Sequence, residues 1–171
     1  MNTKNLESLV GLEAYKSKTD GVCGIIKQIP DDFIVEEITP EPEKKVMKID
    51  EFNEFDKNSP KGEFTRCTMQ KYNWDTMRAV KEISKRLHTS HNRIGFAGMK
   101  DKYALTSQRI SIYNTPIERL KEVKIKDIIL GNFEYSDDKI DLGDLWGNRF
   151  TIAIRAIDDL NFDEIRDRIK A

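Results

Sequence analysis

The sequence predicts an α+β fold, with a mostly antiparallel sheet flanked by helices. Three observations carry that reading. Apolar runs of strand length recur along the chain, as at 33–38, with apolar–polar alternation at 105–113 and 148–157. Helical stripes fall between them without the regular strand–helix–strand rhythm of a parallel sheet. No internal repeat is found. A length of 171 residues suggests one domain.

The elements follow in order. Leu6, Leu9, Val10 and Leu12 make a weak helical stripe over 4–15, and Asp20-Gly21 marks a turn. Residues 22–29 read as a strand, Pro30-Asp31 breaks it, and 33–38 read as a second. The acidic, proline-containing stretch 39–62 reads as a loop or mobile excursion, with a short element around 46–55. Residues 63–72 form a strand. Residues 74–87 are the clearest helix, with Asn73 as N-cap and Met77, Val80, Ile83 and Leu87 as its apolar stripe. A short strand at 93–97 leads into a glycine- and lysine-rich loop, and 105–113 leave it as a strand. Thr115-Pro116-Ile117-Glu118 reads as a capping-box helix start. Strands follow at 127–135 and 148–157, and a last helix begins near Asn161 with Ile165 and Ile169 on its apolar side.

Composition excludes several classes. Hydrophobic residues make up 38% and charged residues 35%, enough for a core under a highly charged surface. No apolar run reaches the roughly 18 residues of a spanning helix, and the N-terminus lacks a secretory pattern, so a cytoplasmic protein is expected. The two cysteines, Cys23 and Cys67, are expected to be reduced core thiols. With His88 and His91 they match no metal-ligand spacing, which disfavours structural zinc and a zinc-dependent deaminase. Net charge is −1, but its distribution is uneven. Residues 31–56 are acidic. The stretch 81–109 holds Lys81, Lys85, Arg86, Arg93, Lys100, Lys102 and Arg109 against only Glu82 and Asp101. A basic face there would suit phosphates, and two ordinary solvated faces would also account for the counts.

The stretch Gly95-Phe96-Ala97-Gly98-Met99-Lys100-Asp101-Lys102-Tyr103 is the most informative. It sets one carboxylate between two lysines, and an opposite charge within a few Å lowers a carboxylate pKa by about one to three units. The glycines permit tight turns and close approach. Spacing alone equally describes a charged hairpin turn.

The segment resembles the signature of the TruD family of tRNA pseudouridine synthases, roughly Gly-x-Lys-Asp-Arg/Lys-x-Ala-x-Thr-x-Gln. This chain supplies Gly98, Lys100, Asp101, Lys102, Ala104, Thr106 and Gln108 in register. Residues 27–37 resemble the family block Lys-x-x-Pro-x-Asp-Phe-x-Val-x-Glu, and 142–150 resemble Leu-Gly-x-Leu-x-Gly-Asn-x-Phe. Three blocks in order are far more specific than one.

The resemblance implies a pseudouridine-synthase fold and cofactor-free, metal-free isomerisation of a uridine in tRNA, with position thirteen of the D-arm as the usual target. It implies Asp101 as the catalytic carboxylate and Lys27 as the lysine that orients it. Phe150 would pack on the target base, or be a core residue of its strand. Asn148 would bond the base or fix the loop. Lys100 and Lys102 would meet phosphates or shape the loop, and Gln108 is grouped with them near substrate, with a bracing role favoured. Phe33 and Glu37 would support the site. The family is about twice this long, with a second inserted domain and a later conserved block that this chain lacks. The chain therefore resembles an N-terminal portion with an incomplete sheet, or an unusually short relative, and activity is not expected to be guaranteed by these 171 residues alone. A non-catalytic RNA-binding module using 81–109 is the alternative.

Overall fold

A computed structural model of the chain describes residues 9, 21–55, 60–157 and 161–170. Its elements are β1 (Ile25–Ile26), β2 (Phe33–Ile38), β3 (Phe64–Tyr72), α1 (Thr76–Arg86), β4 (Ile94–Phe96), β5 (Leu105–Tyr113), α2 (Ile117–Lys121), β6 (Ile128–Ser136), β7 (Gly147–Ile152), β8 (Ile154–Arg155) and α3 (Phe162–Lys170). They fall into two compact units, Ile26–Ala153 and Met1–Ile25 with Ile154–Ala171.

The first unit is built on a six-stranded sheet ordered β6-β3-β5-β2-β7, with β4 also paired to β5. β2 and β4 share one edge of β5: Ile34–Glu36 pair with Leu105–Ser107, and Ile94–Phe96 pair with Ile110–Ile112. Only the β2–β5 pair is parallel. One cross-strand row runs Phe150, Val35, Thr106, Lys71, Ile128.

Alternation then sorts the two faces. On the face of that row, Cys67, Met69, Ile110 and Ile112 meet Ala79, Val80 and Ile83 of α1 in the main core. The opposite face carries Glu36, Gln70, Ser107 and Ser111, and residues 39–55 close over part of it. The Asp50 and Ile49 amides donate to Gln70 (2.8 Å) and Glu36 (3.0 Å), the Asn53 amide donates to Asn132 (2.7 Å), and Ser107 donates to the Met47 carbonyl. Polar residues suit this face because they bond the backbone of the strap that covers it. The segment expected as a mobile excursion is, over its described part, a fastened cover with one bridge from Val46 to Ile38.

In the second unit, the Asn161 side chain accepts from the Glu164 amide at 2.9 Å and starts α3 as expected. Ile165 is half-buried and Ile169 exposed. The expected helix over 4–15 lies outside the described residues except for Leu9, which is helical.

Several boundaries differ from expectation. The strand expected over 22–29 shrinks to Ile25–Ile26, because Cys23, Gly24 and Lys27 have positive φ. The N-cap of α1 is Asp75, which accepts from the Arg78 amide, while Asn73 sits in the left-handed region two residues earlier. Met77 is only half-buried, and Ala79 takes its place in the core. Thr115 does not cap α2: its hydroxyl donates to the Tyr113 carbonyl at 3.2 Å, and Pro116 is the N-cap. The strand expected over 148–157 breaks at Ala153, whose amide donates to the Asp32 carbonyl at 2.8 Å. Cys67 is buried, but Cys23 is an exposed thiol rather than a core one. No helix among the described residues is long and apolar enough to cross a membrane.

Gly95 is the glycine whose missing side chain matters here. A Cβ there would run into the Ile140 carbonyl and come within 2.8 Å of Ser111 Oγ, which already accepts from the Ile140 amide. Gly98 has no such crowding. Gly95→Ala should destabilise the fold by about 1–3 kcal/mol, the usual range for overpacking. Gly98→Ala should change stability much less, and urea unfolding of the two variants would compare them.

Candidate active site

Asp101 sits on the loop between β4 and β5, and the loop is held from beneath by buried polar side chains. Gln108 of β5 donates to the Gly98 carbonyl at 2.9 Å. Thr76, in the first turn of α1, accepts from the Lys100 amide at 3.0 Å and contacts Gln108 Oε1 at 3.2 Å. Thr76 and Gln108 are fully buried. Neutral groups can brace a loop from inside in this way because each satisfies the other.

Lys100 turns inward. Its ammonium meets Glu37 Oε2 at 2.8 Å, with the two side chains 2% and 0% exposed. The other carboxylate oxygen of Glu37 accepts from the Arg109 amide at 3.1 Å. Of the alternatives expected for Lys100 and Gln108, the geometry is that of loop bracing rather than substrate contact: neither polar end reaches solvent. Glu37 is fully buried and links the loop at Lys100 to β5 at Arg109.

Lys71 is buried as well. Its Nζ lies 2.7 Å from the Trp74 carbonyl, 2.8 Å from that of Asp101 and 3.5 Å from that of Lys100. Burial lowers its pKa to about 8, with the neighbouring Lys100 acting in the same direction and the Asp75 and Asp101 carboxylates opposing.

The Asp101 side chain points outward. Lys27 Nζ approaches Oδ1 at 2.6 Å, with the side chains 30% and 41% exposed. The same ammonium lies 3.7 Å above the Phe33 ring. Phe33 in turn meets Phe150 edge to face, centroids 5.8 Å apart. Phe33 is buried, whereas Phe150 is 51% exposed on β7. Carboxylate, ammonium and two rings thus form one connected series ending in an accessible aromatic face. Asn148 is exposed, opposite Glu37 in register. Lys102 and Tyr103 are exposed beside Asp101, and the Tyr103 hydroxyl donates to the Gln28 carbonyl at 3.1 Å.

The third sequence block joins this assembly through its backbone. The Gly143 amide donates to the Ala97 carbonyl at 2.8 Å and the Trp146 amide to that of Ile38 at 3.0 Å. Of the basic stretch, Lys81, Lys85, Arg86, Arg93 and Lys102 are exposed, while Lys100 and Arg109 turn toward Glu37. His88 and His91 are exposed. Among the described residues, no group of three or more His, Cys, Asp or Glu could hold a metal ion.

Similarity to known proteins establishes the family. The family model TruD, tRNA pseudouridine synthase D, matches residues 9–171. The chain belongs to the TruD family. It is 50% identical over 146 residues to a probable tRNA pseudouridine synthase D 1 of Methanocaldococcus jannaschii, covering 84% of this chain and 37% of that protein. It is 45% identical over 137 residues to a probable tRNA pseudouridine synthase D of Methanococcus aeolicus, covering 78% of this chain and 34% of that one. The crystal structure of a putative TruD from Methanosarcina mazei superposes with a TM-score of 0.81 at 33% identity, covering 99% of this chain and 35% of that chain. The chain thus spans about a third of the length of these relatives.

Sequence reasoning did not single out Lys71, Thr76 or Asp75 for the TruD site. A lysine or threonine in an alternating strand or at a helix start reads as solvent-facing, and only the fold shows which carbonyls they reach.

Removing one partner of a buried ion pair strands the other. Lys100→Met should destabilise the chain by about 3–5 kcal/mol, and adding Glu37→Gln should recover part of that loss. Chemical denaturation of the single and double variants measures both. Lys71 gives a pH signature. The penalty for its buried charge is fully present below about pH 8. Between pH 8 and the ordinary lysine value of 10.5, the unfolded chain holds a proton that the folded one has released. Stability therefore rises with pH across that window. Urea unfolding at closely spaced pH values should show that contribution in the parent chain and not in Lys71→Met.

Proposed function

We propose that the protein carrying this chain converts a uridine of tRNA to pseudouridine, using Asp101 as its essential carboxylate and no cofactor. The observation that carries this reading is the contact of Asp101 with Lys27, linked through Phe33 to the exposed ring of Phe150, where the three sequence blocks meet. The isomerisation breaks the bond between uracil N1 and ribose C1′, turns the base, and forms a bond from C5 to C1′. The C5 proton is lost and N1 regains one, so the atoms balance. Asp101 acts as nucleophile or as base, and Lys27 orients the carboxylate through their 2.6 Å contact.

A uridine in a folded RNA must first leave its stack, at a cost of a few kcal/mol. Phe150 offsets part of that by stacking, worth about 1–3 kcal/mol per base, and a flat contact allows the base to rotate. Asn148 bonds the base edge or fixes the loop, and Lys102 meets the phosphate backbone. The target is the uridine at position thirteen of the D-arm, and this role places the protein in the cytoplasm.

Full-length protein incubated with a D-arm-containing tRNA transcript, followed by pseudouridine mapping, tests the reading. Asp101→Asn should lower turnover by about 10²–10⁴, the usual worth of a positioned acid or base, while tRNA affinity stays within about threefold, as expected for removal of a transition-state interaction. Full activity in Asp101→Asn overturns the assignment. Salt-sensitive tRNA binding without any modified base in the parent protein would instead support a non-catalytic RNA-binding module.

A further inference from the structure

Lys71 is a buried ammonium on the inner face of the sheet, in the row between Thr106 and Ile128. An apolar side chain would fill that position without desolvating a charge, which is costly unless hydrogen bonds compensate. The compensation here comes from backbone. Nζ reaches the carbonyls of Trp74, at the entry to α1, and of Lys100 and Asp101, on the loop that carries the carboxylate. An ammonium has three hydrogens, and three carbonyls converge on it. The charged groups facing it are Asp75 from α1 and Asp101 and Lys100 from the loop.

We infer that Lys71 is a positioning residue for the Asp101-dependent reaction: its buried ammonium fixes the backbone of Asp101 from beneath, while Lys27 holds the carboxylate from the open side. The inference rests on the reading of Asp101 as the essential group. Its physical basis is placement. Misplacing a reacting group by about 1 Å costs on the order of 10²-fold in rate. Thr76 and Gln108 fasten the loop at Lys100 and Gly98, before the aspartate. Lys71 fastens the Asp101 carbonyl itself. Lysine suits the task because a long stem carries its donors from the strand to the loop, and a neutral side chain has fewer hydrogens to share among three acceptors.

The test compares Lys71→Met and Lys71→Gln with the parent in full-length protein. Turnover on a tRNA transcript should fall about 10²-fold, with the dissociation constant for tRNA within about threefold. Amide exchange at 99–103 should accelerate, while that of 106–112 should not. In the parent, turnover should also decline above about pH 8, and this limb should be absent from the variants. If Asp101→Asn abolishes turnover but both variants work at the parent rate, the positioning role is overturned and the catalytic reading survives. If Asp101→Asn is fully active, the catalytic reading itself has failed. Should neither variant fold, the parent decides: loop amide resonances that do not titrate near pH 8 overturn the role, and resonances that do support it.

Discussion

The buried contact between Glu37 and Lys100 is the constraint on which the rest depends. β2 and β5 pair only as far as Glu36 and Ser107. Beyond that point the edge of β5 passes to β4, and the Arg109 amide would face no strand acceptor from β2. The Glu37 carboxylate supplies one oxygen to that amide and the other to Lys100. One side chain therefore finishes the strand pairing and anchors the loop that bears Asp101. A buried ion pair contributes little net stability against its desolvation, but it is expensive to satisfy in any other register. Its effect is to fix where the first and second sequence blocks meet.

Around that contact the sheet divides its labour by face. The row through Phe150, Val35, Thr106 and Lys71 looks toward α1 and the Asp101 loop. The opposite face is closed in part by 39–55 through bonds to strand side chains. This arrangement leaves Asp101 with two separate holds. Lys27 reaches its carboxylate from the exposed side, and Lys71 reaches its carbonyl from the buried side. The exposed pair is worth little as stability. Its consequence is orientation, and the Phe33 ring beneath the ammonium limits where that charge can go.

Much of this was legible in the residues. β2, β3 and β6 were expected as strands, β5 followed from its alternation, and the helix at 76–86 from its stripe. The three blocks identified the family and brought Asp101, Lys27 and Phe150 forward, and the fold places these three in one series. The limits were equally specific. Local patterning cannot report burial of a charge, so Lys100 stayed open between a phosphate contact and a loop-shaping role, and Lys71 was not singled out. It places a helix start only to within a residue or two, so Asn73 was the expected cap where Asp75 serves. It reads an acidic, proline-rich stretch as mobile, because the acceptors that fasten 39–55 are strand residues distant in sequence, such as Gln70 and Asn132. For Lys71, Lys100 and the 39–55 strap, the missing information was a contact between residues distant in sequence.

The backbone of Lys27 has φ +56°, the left-handed region that costs an L-residue about 1–2 kcal/mol. The residue that touches the carboxylate is thus also a tight corner between β1 and the turn at Pro30. Any mutational scan at this position mixes two effects of opposite sign. Glycine would relieve the corner while deleting the charge, so a glycine variant would gain thermal resistance as it lost the contact to Asp101. A branched residue such as valine would lose on both counts. Arginine keeps a cation and the same backbone burden, which makes it the cleanest reporter of what the ammonium contributes.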